Sequence, residues 1–498
     1  MNITSKGNVM INGDENEIFI PTNSKLPLVY KDAKKFVEDI PKLFKNVKGA
    51  LLNVFSHQPI GYKTNMDFCE AVSKKLDALH IRHLYLPARY SSSLITLHIA
   101  NINLKFNETV LLVHFNDNRL SINGFKYTEN GYKEVSDKRI SINGKENTKL
   151  LRDEILGESN PMKIVLVSVS KEKNLVKFLR KVLKSNKLIA FDSMPDVGEN
   201  VFDDIAKWMF DKSFIKYRII PMCERNYFFI TAVGKETFPF LFLKPSESLP
   251  FKKTCYVSKC NEYIIYFDNP DEKRHEIMAV EKRCHQNKIT VTVDTENFFK
   301  VKHETIIFPQ LESFAINLNS KHSIMQIPVI GILDGISVIC LRKNGGYKFL
   351  DSWNGLYGKE LAISFDETKP KFFEDAFKAL LQKPSFGVYD LIKIMSMSPD
   401  NIEIDEKWKF TLTNDSNNPI LLEFDTFEGT TKFSTPAFLM AMLIRQHLKA
   451  IKMEVGEKPS EIGICIFDNF DENERIRVEN QLKESCKMLK IECKFVRV

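Results

Sequence analysis

The stretch Glu461-Ile-Gly-Ile-Cys-Ile-Phe467 decides the fold class of this chain. Its apolar run, bounded by polar residues, is typical of a buried strand. Residues 472–489 then have the apolar spacing of a helix, and residues 491–498 form a closing strand pattern. This strand–helix–strand rhythm predicts that the C-terminal end of the chain is an α/β unit.

The same rhythm occurs near the other end of the chain. Ala50-Leu-Leu-Asn-Val-Phe55 predicts a strand, residues 65–79 a helix, and a short strand follows that ends in Leu84-Tyr-Leu-Pro87. Leu79 aligns with Leu489, an offset of 410 residues. Because a helix pattern also precedes each unit, at 30–45 and 438–452, we predict a partial internal duplication. Chance similarity between two α/β units is the alternative.

Other segments predict further elements. Asn12-Gly13, between apolar stretches, predicts a hairpin. Lys163-Ile-Val-Leu-Val-Ser168 opens another α/β unit. Residues 218–301 contain short strand patterns separated by turn residues, which indicate a β-sandwich. A strand, a turn and a strand follow from Ile327.

Composition excludes several functional classes. The chain has 498 residues, of which 43% are hydrophobic and 27% charged. Its net charge of +7 is spread along the sequence rather than clustered, so we expect no nucleic-acid partner. The polar N-terminus lacks a signal-peptide core, and the longest apolar run, Ile327 to Leu341, falls short of the ~20 residues that span a bilayer. We expect a cytoplasmic protein with no membrane partner.

The nine cysteines are unevenly spaced and do not resemble a disulfide framework. Cys255, Cys260, Cys284 and His285 raise the alternative of a zinc site, but C-x4-C followed much later by C-H is not a recognised ligand spacing. Cys255 and Cys260 also lie in strand-like segments, where a buried thiol is common. We therefore expect no metal.

Three C-terminal segments are similar to the first half of the ATPase domain of the 70 kDa heat-shock (DnaK-type) chaperone family: Asp405–Phe410, Phe427–Pro436 and Glu461–Arg475. Ile330-Gly-Ile-Leu-Asp-Gly-Ile-Ser337 resembles the first phosphate loop of that domain. Residues 163–170 and Met194-Pro-Asp196 resemble its closing portion, and Phe242–Pro250 resembles a loop of the family's peptide-binding β-sandwich.

The resemblance implies actin-like (ribonuclease H-like) ATPase pieces flanking a peptide-binding-type β-sandwich, an α/β plus β fold class. The implied regions are a partial ATPase-like domain at 1–215, the sandwich at 216–305, a linker at 306–326, and the first half of an ATPase-like domain at 327–498. The segment that should come first in the family comes last here. No helical lid follows the sandwich, and no adenine-binding lobe fits between Val135 and Lys163.

Two architectures follow from this order. In the first, which we favour, the C-terminal piece folds back and supplies the opening strands that the N-terminal piece lacks, because an unpaired buried sheet edge is costly. In the second, 327–498 is an independent half-domain left from a tandem copy.

The resemblance also implies a relic nucleotide site. Its residues would be Gly331, Asp334, Gly335, Ser337, Pro195 and Asp196. The family's carboxylate position is occupied by Leu333, and on a strand the next residue, Asp334, would point to the opposite face. Ile392 occupies the position of the family's catalytic lysine, and we expect the neighbouring Lys393 to point to the opposite face, as for Asp334. Leu86 occupies the position of the family's glutamate.

The second phosphate loop corresponds to His114-Phe-Asn-Asp-Asn-Arg119. Its glycines have become Asn116, Asp117 and Asn118, which tolerate positive φ, so a turn is expected to persist. The third glycine pair corresponds to Ser168-Val169. Because losing one charge-stabilising group costs about 10²–10³ in rate, we expect no catalytic residues and no useful ATP hydrolysis. A lone histidine such as His114 is more commonly a surface residue than a catalyst.

The sandwich is better placed to keep a function, since peptide binding needs a groove and free strand edges rather than catalytic geometry. By resemblance, the groove residues would be Ile230, Val233, Val257, Cys260, Tyr263 and Ile265. The equal alternative is that these residues form the sandwich core, as we expect for Phe228, Phe229, Phe238 and Phe240.

We therefore expect a non-catalytic chaperone-like protein that binds extended apolar peptide, or a chaperone partner, without a cofactor. Lacking a lid, it would bind peptide weakly and fast. The first alternative is an ATP-dependent chaperone that binds Mg-ATP and retains weak ATPase activity. Others are a product of gene decay and a fusion of two neighbouring reading frames.

Overall fold

The computed structural model describes residues 3–14, 16–22, 26–168, 173–193, 199–223, 227–233, 236–243, 247–268 and 276–498. These residues form a mixed α/β protein with several sheets, which confirms the α/β plus β character expected from the sequence. They divide into two compact units. Unit 1 comprises Met1–Asn226, Leu243–Phe251 and Thr292–Lys300, and unit 2 comprises Tyr227–Phe242, Lys252–Val291 and Val301–Val498. The four regions expected from the resemblance divide the chain differently and stay predictions.

The N-terminal part of unit 1 alternates strands and helices. Its strands are β1 (Asn8–Gly13), β2 (Ile18–Ile20), β3 (Leu28–Tyr30), β4 (Gly49–Asn53), β5 (Arg82–Tyr85), β6 (Thr109–Asn116), β7 (Arg119–Thr128), β8 (Gly131–Ser141), β9 (Lys163–Ser168) and β10 (Leu188–Phe191). Its helices are α1 (Ala33–Leu43), α2 (Asn65–Ala78), α3 (Ala88–Ile99), α4 (Thr148–Leu156), α5 (Lys173–Val182) and α6 (Glu199–Phe210).

These strands form two sheets of the same topology. The first has the order β3-β2-β1-β4-β5 and the second the order β8-β7-β6-β9-β10. In each sheet three antiparallel strands are extended by two parallel ones. The hairpin predicted at Asn12-Gly13 is confirmed, because Asn12 pairs with Phe19 across β1 and β2. Apolar residues of both sheets and their helices form the unit's core.

The middle of the chain is strand-rich, as the sequence predicts. Its strands are β11 (Tyr227–Val233), β12 (Glu236–Leu243), β13 (Phe251–Val257), β14 (Tyr263–Asp268), β15 (Glu276–Ala279), β16 (Gln286–Val293) and β17 (Phe299–Ile306). They form two sheets, of order β12-β11-β14-β15 and β13-β16-β17.

The C-terminal part of unit 2 returns to α/β structure. Its helices are α7 (Pro309–Glu312), α8 (Phe314–Lys321), α9 (Glu374–Gln382), α10 (Leu391–Ser396), α11 (Pro436–Val455) and α12 (Glu472–Met488). Its strands are β18 (Val329–Leu333), β19 (Ile336–Lys343), β20 (Gly346–Phe349), β21 (Lys359–Glu360), β22 (Ala362–Ser364), β23 (Lys371–Phe372), β24 (Gly387–Tyr389), β25 (Thr411–Thr413), β26 (Leu421–Asp425), β27 (Thr431–Ser434), β28 (Glu461–Ile466) and β29 (Glu492–Phe495).

The main C-terminal sheet has the order β20-β19-β18-β28-β29, again three antiparallel strands extended by two parallel ones. Two small sheets, β23-β22-β24 and β25-β26-β27, accompany it. This main sheet corrects the architecture that we favour from the sequence. Among the described residues, β1, β2 and β3 complete the N-terminal sheet from its own segment, and no strand of 327–498 joins it. The physical reason is that residues 8–30 supply three strands, whereas the sequence predicts only one hairpin there.

The ends of α2 and α12, which the predicted internal repeat aligns, have the same hydrogen bonds, but the end of α3 has them too, so the repeat stays a prediction. The N–H groups of His80 and Lys490 donate to the carbonyls of residues 77 and 487, and those of Ile81 and Ile491 to residues 76 and 486. This is the Schellman arrangement at both helices, at the predicted offset of 410 residues. His80 and Lys490 both adopt left-handed φ, at 56° and 53°.

Residues 306–326, expected to be a linker, contain α7 and α8. Leu311, Phe314 and Leu318 are fully buried and pack with Val329 and Val338 of the main C-terminal sheet. The segment differs from the expectation because these apolar side chains cover one face of that sheet. Among the residues that the structure describes, no helix is long and apolar enough to cross a membrane.

Candidate functional site

The first candidate phosphate loop is the two-residue turn Asp334–Gly335, which joins β18 to β19. Leu333 pairs with Ile336, and φ is 49° at Asp334 and 70° at Gly335, as in the tight turns of twisted hairpins. The expectation that Asp334 lies on a strand, with its side chain set by strand parity, is therefore wrong. Its carboxylate accepts a hydrogen bond from Nε2 of Gln286.

Gly331, another residue expected in this loop, lies inside β18 and is buried. A methyl group at this position would lie 2.7 Å from Cε1 of Phe314 on α8. Such a contact is closer than packed carbon atoms tolerate. The packing of Phe314 against the sheet is therefore sufficient to explain this glycine.

Carboxylates surround the turn. The backbone N–H of Asp334 donates to Oδ1 of Asp468 at 3.0 Å, and a methyl group at Gly335 would lie 3.9 Å from Oδ1 of Asp390. Burial raises the pKa of Asp390 and of Asp468, and repulsion from Asp334 adds to both shifts. A phosphate-binding turn needs free N–H groups and positive surroundings. Here an N–H is bonded to a protein carboxylate, and the surroundings are acidic.

Ser337, the last residue expected in this loop, faces the core. Its side chain is buried, Oγ lies 2.8 Å from Nε2 of His447, and Oγ accepts a hydrogen bond from Nε1 of Trp353 at 3.1 Å. Its hydroxyl is thus engaged by two side chains of the protein interior. Burial lowers the pKa of His447 to about 4, so this imidazole is neutral near pH 7.

The positions matched to the family's lysine lie on a helix. Ile392 and Lys393 belong to α10, so the strand-parity objection does not apply to them. Ile392 is buried, and Nζ of Lys393 lies 3.1 Å from the Asp405 carboxylate. The lysine is therefore held in an ion pair near the surface.

The second candidate loop is also a tight turn. Asn116 pairs with Arg119 at the end of β6 and β7, and Asp117 has a φ of 54°, so the expected turn persists without glycine. His114 is largely buried rather than a surface residue, which corrects the expectation. Its Nε2 lies 2.8 Å from Oγ1 of Thr96, and burial lowers its pKa to about 4.

Other predicted nucleotide-site residues lie outside the described residues. These are Pro195, Asp196 and, in the third glycine pair, Val169. Ser168, at the end of β9, is buried, and so is Leu86, which matches the family's glutamate position. A buried aliphatic side chain in place of the glutamate cannot orient a water molecule.

The predicted groove residues separate into buried and accessible ones. Val257, Cys260 and Ile265 are buried, whereas Ile230 is half-buried opposite Ile265 on the paired strands β11 and β14. Tyr263 is 46% exposed. The side chain of Val233 lies outside the described residues. Phe229 is buried, as expected of a core residue, whereas Phe228, Phe238 and Phe240 are only half-buried.

Exposed aromatic residues in this region escape sequence reasoning. Tyr256, on β13 at the edge of its sheet, is 57% exposed, and Phe242 on β12 is 40% exposed. The alternation of β13 could have indicated Tyr256, because the neighbouring Val257 is buried and side chains alternate between faces along a strand. Among the described side chains of the strand-rich region, Phe242, Tyr256 and Tyr263 are the large apolar ones that are exposed.

The residues of the zinc alternative have other partners. His285 Nε2 lies 2.8 Å from the carbonyl of Leu356, and its Nδ1 accepts a hydrogen bond from the N–H of Phe308. Cys260 lies in the turn after β13, not on a strand as expected, because the Ser258 hydroxyl accepts a hydrogen bond from its N–H. No group of three or more His, Cys, Asp or Glu side chains in the described part of the chain is placed to hold a metal.

Unit 2 also contains a charged cavity of about 660 Å³ that the sequence does not indicate. Nζ of Lys259 donates to the carbonyls of Tyr357 and Gly358, at 2.6 and 3.2 Å, and Ser258 donates to Glu360. Burial lowers the pKa of Lys259 and raises that of Glu360. Because Lys259 is already bonded to carbonyl groups, its role is to join residues 258–260 to the 351–360 segment.

No protein-family model matches the chain, and no curated protein is significantly similar to it. Membership of the 70 kDa heat-shock family therefore stays a prediction from the short motifs quoted above.

Proposed function

We propose that this chain is a non-catalytic chaperone-like protein that binds extended apolar peptide through its strand-rich middle region. Three properties support the proposal: a repeated sheet topology, a first candidate phosphate loop whose N–H is bonded to a protein carboxylate, and accessible aromatic residues in the region expected to bind peptide. The second property is the observation on which we base the proposal that the protein is non-catalytic.

The sheet topology supports ribonuclease H-like pieces. Two sheets of unit 1 and the main C-terminal sheet of unit 2 share one strand order, with three antiparallel strands followed by two parallel ones. The resemblance to the heat-shock family implies actin-like pieces of this kind on both sides of the strand-rich region. We propose that all three sheets are copies of this one unit.

The chemistry of the Asp334–Gly335 turn argues against nucleotide binding. Phosphate carries negative charge, and an Asp468 carboxylate already accepts the N–H that a phosphate would need. Asp390 lies on the other side of the turn, so phosphate would meet two carboxylates besides that of Asp334. Like charges at close range in a half-buried site cost several kcal/mol, by order of magnitude.

The strand-rich region has the features that peptide binding requires. β13 is an edge strand of its sheet, and four of its side chains are exposed, including Tyr256. Tyr263 lies at the start of β14, next to the buried Ile264. Edge strands bind extended peptides through main-chain hydrogen bonds, and exposed aromatic side chains add contact area at low entropic cost.

Anisotropy of a fluorescein-labelled heptapeptide of leucine and valine, titrated with the full chain, tests the proposal. We expect saturable, rapidly reversible binding that is about tenfold weaker in the double variant Tyr256→Ser/Tyr263→Ser. Leu150→Ser is the matched control, because Leu150 lies on α4 in unit 1 and is 68% exposed. Equal affinity of the double variant and the control, or no binding at high protein concentration, would refute the proposal.

A further inference from the structure

A second apolar surface lies in the C-terminal part of unit 2, away from the residues proposed above. It is a cavity of about 270 Å³ whose lining includes five phenylalanines. Its apolar lining consists of Phe365, Pro370, Phe424, Phe427, Phe433, Phe438 and Leu439. Phe365 and Phe424 stack at its base, with ring centroids 4.3 Å apart.

The mouth of this cavity is unusually apolar for a protein surface. Phe427, Phe433 and Phe438 are 43%, 57% and 51% exposed. Single exposed apolar residues are normal, but several around one concave site indicate a binding surface. The three come from the turn after β26, from β27 and from the first turn of α11, so different elements converge on the site.

The charged groups around the cavity are already paired. Lys432 forms an ion pair with Glu428 at 3.0 Å, and Glu367 forms one with Lys371 at 2.7 Å. The cavity therefore offers no unpaired charge among its described residues to hold an ionic ligand. Its volume lies near the lower end of the ~300–1,000 Å³ of small-molecule sites, which leaves room for one bulky side chain.

Strand β27 supplies the second half of a binding site. It lies at the edge of the sheet β25-β26-β27, where Lys432 pairs with Phe424 and Phe433 with Glu423 of β26 on one side. Thr431, Lys432 and Phe433 are exposed. An exposed strand edge presents unpaired N–H and C=O groups, which an extended chain can satisfy by adding a strand.

We propose that β27 and the phenylalanine cavity together bind an extended peptide that adds a strand to the β25-β26-β27 sheet. A bulky aromatic or aliphatic side chain of this peptide enters the cavity as an anchor. The site does not include Tyr256 or Tyr263, and the proposal holds whether or not a peptide binds at those two residues.

The test uses the full chain and a labelled nine-residue peptide that alternates threonine and valine around a central tryptophan. We expect Phe433→Ser and Phe438→Ser each to weaken binding about tenfold, as the loss of an aromatic anchor does. Binding is read as slowed hydrogen exchange of the amides at 431–434, and the matched control Leu150→Ser, at an exposed position on α4, should leave it unchanged. A peptide with serine in place of tryptophan, or with alternate backbone amides N-methylated, should lose most of its affinity.

Three results would overturn this proposal. The first is unchanged affinity in both phenylalanine variants, and the second is equal binding of the N-methylated peptide, which cannot complete the strand ladder. The third is sedimentation showing that the chain without peptide dimerises at the concentrations used and that Phe433→Ser dissociates the dimer. The occupant of β27 would then be a second copy of the chain.

Discussion

The hydroxyl of Ser337 lies 2.8 Å from Nε2 of His447, and both side chains are buried. Nδ1 of His447 lies 2.8 Å from the carbonyl of Leu443, which can only accept, so Nδ1 carries the proton. Nε2 then accepts from Ser337, whose oxygen in turn accepts from Nε1 of Trp353. A residue expected to hold phosphate is thus part of a hydrogen-bonded chain inside the core.

Ser337→Ala tests this structural role. The substitution leaves Nε2 of His447 buried without a donor, and an unsatisfied buried polar group costs about 1–3 kcal/mol. We expect the free energy of unfolding to fall by this amount in urea titrations followed by fluorescence in a Trp208→Phe background, where Trp353 and Trp408 report on unit 2. Ser320→Ala, at an exposed serine on α8, should have little effect. Equal stability of the two variants would contradict the role assigned to Ser337.

His447 makes unit 2 sensitive to acid. Burial lowers its pKa from 6.5 to about 4 in the folded state, so the unfolded state takes up the proton first as pH falls. The contribution of neutral His447 to the free energy of unfolding is complete above pH 6.5. It is lost as pH falls towards 4, and the total loss is about 3 kcal/mol. We expect His447→Gln to be less stable at pH 7 but to show a smaller loss of stability between pH 6.5 and 4. The exposed Ser320→Ala, which removes no titratable group, should retain the wild-type pH dependence. An unchanged pH dependence in His447→Gln would count against this assignment.

Asp468→Asn should stabilise the protein. Burial and repulsion from Asp334 raise the pKa of Asp468, and its Oδ2 has no hydrogen-bond partner among the described residues. Asparagine keeps the oxygen that accepts from the Asp334 N–H and removes the charge. We expect a gain of about 0.5–2 kcal/mol at pH 7, typical of a single stabilising substitution. Because the folded-state pKa is raised, the gain should vanish below the pKa of the unfolded chain. Asp400→Asn, at an exposed position, is the control; a loss of stability at pH 7 in Asp468→Asn would refute the repulsion.

His80→Gly and Lys490→Gly should both be stabilising. Each residue has left-handed φ after its helix, a conformation that costs an ordinary residue about 1–2 kcal/mol and glycine little. After the greater entropy of unfolded glycine is subtracted, we expect a gain of about 0.5–1 kcal/mol in thermal unfolding. Lys487→Gly, inside the last turn of α12, should instead cost about 1 kcal/mol. Opposite effects at positions 80 and 490 would show that the two helix ends are not equivalent.

Periodicity predicted the regular α/β units because their apolar faces are continuous. α12 was expected at 472–489 and spans Glu472–Met488, where the Asp471 side chain and Glu474 form a capping box. The sequence does not predict β3, because its three residues are largely exposed and show no alternation of buried and exposed side chains. Because the sequence predicts only a hairpin in residues 8–30 and not β3, it leaves the N-terminal sheet short of strands. The favoured architecture therefore takes these strands from the C-terminal piece.

The candidate site was harder to predict because its contacts join distant residues. Ser337 and His447 are separated by 110 positions, and Ser258 and Glu360 by 102, and no local pattern marks either pair. The Asp334-Gly335 dipeptide, by contrast, is itself a signal for a two-residue hairpin and could have replaced the strand-parity argument.

Calorimetric titration of the full chain with Mg-ATP tests the central claim most directly, because the claim is that the Asp334–Gly335 turn does not accept phosphate. The account predicts no heat of binding at protein concentrations of about 50 µM, which lie above the dissociation constants of functional nucleotide sites. Micromolar binding that disappears in Gly335→Val, with the fold intact by circular dichroism, would contradict it.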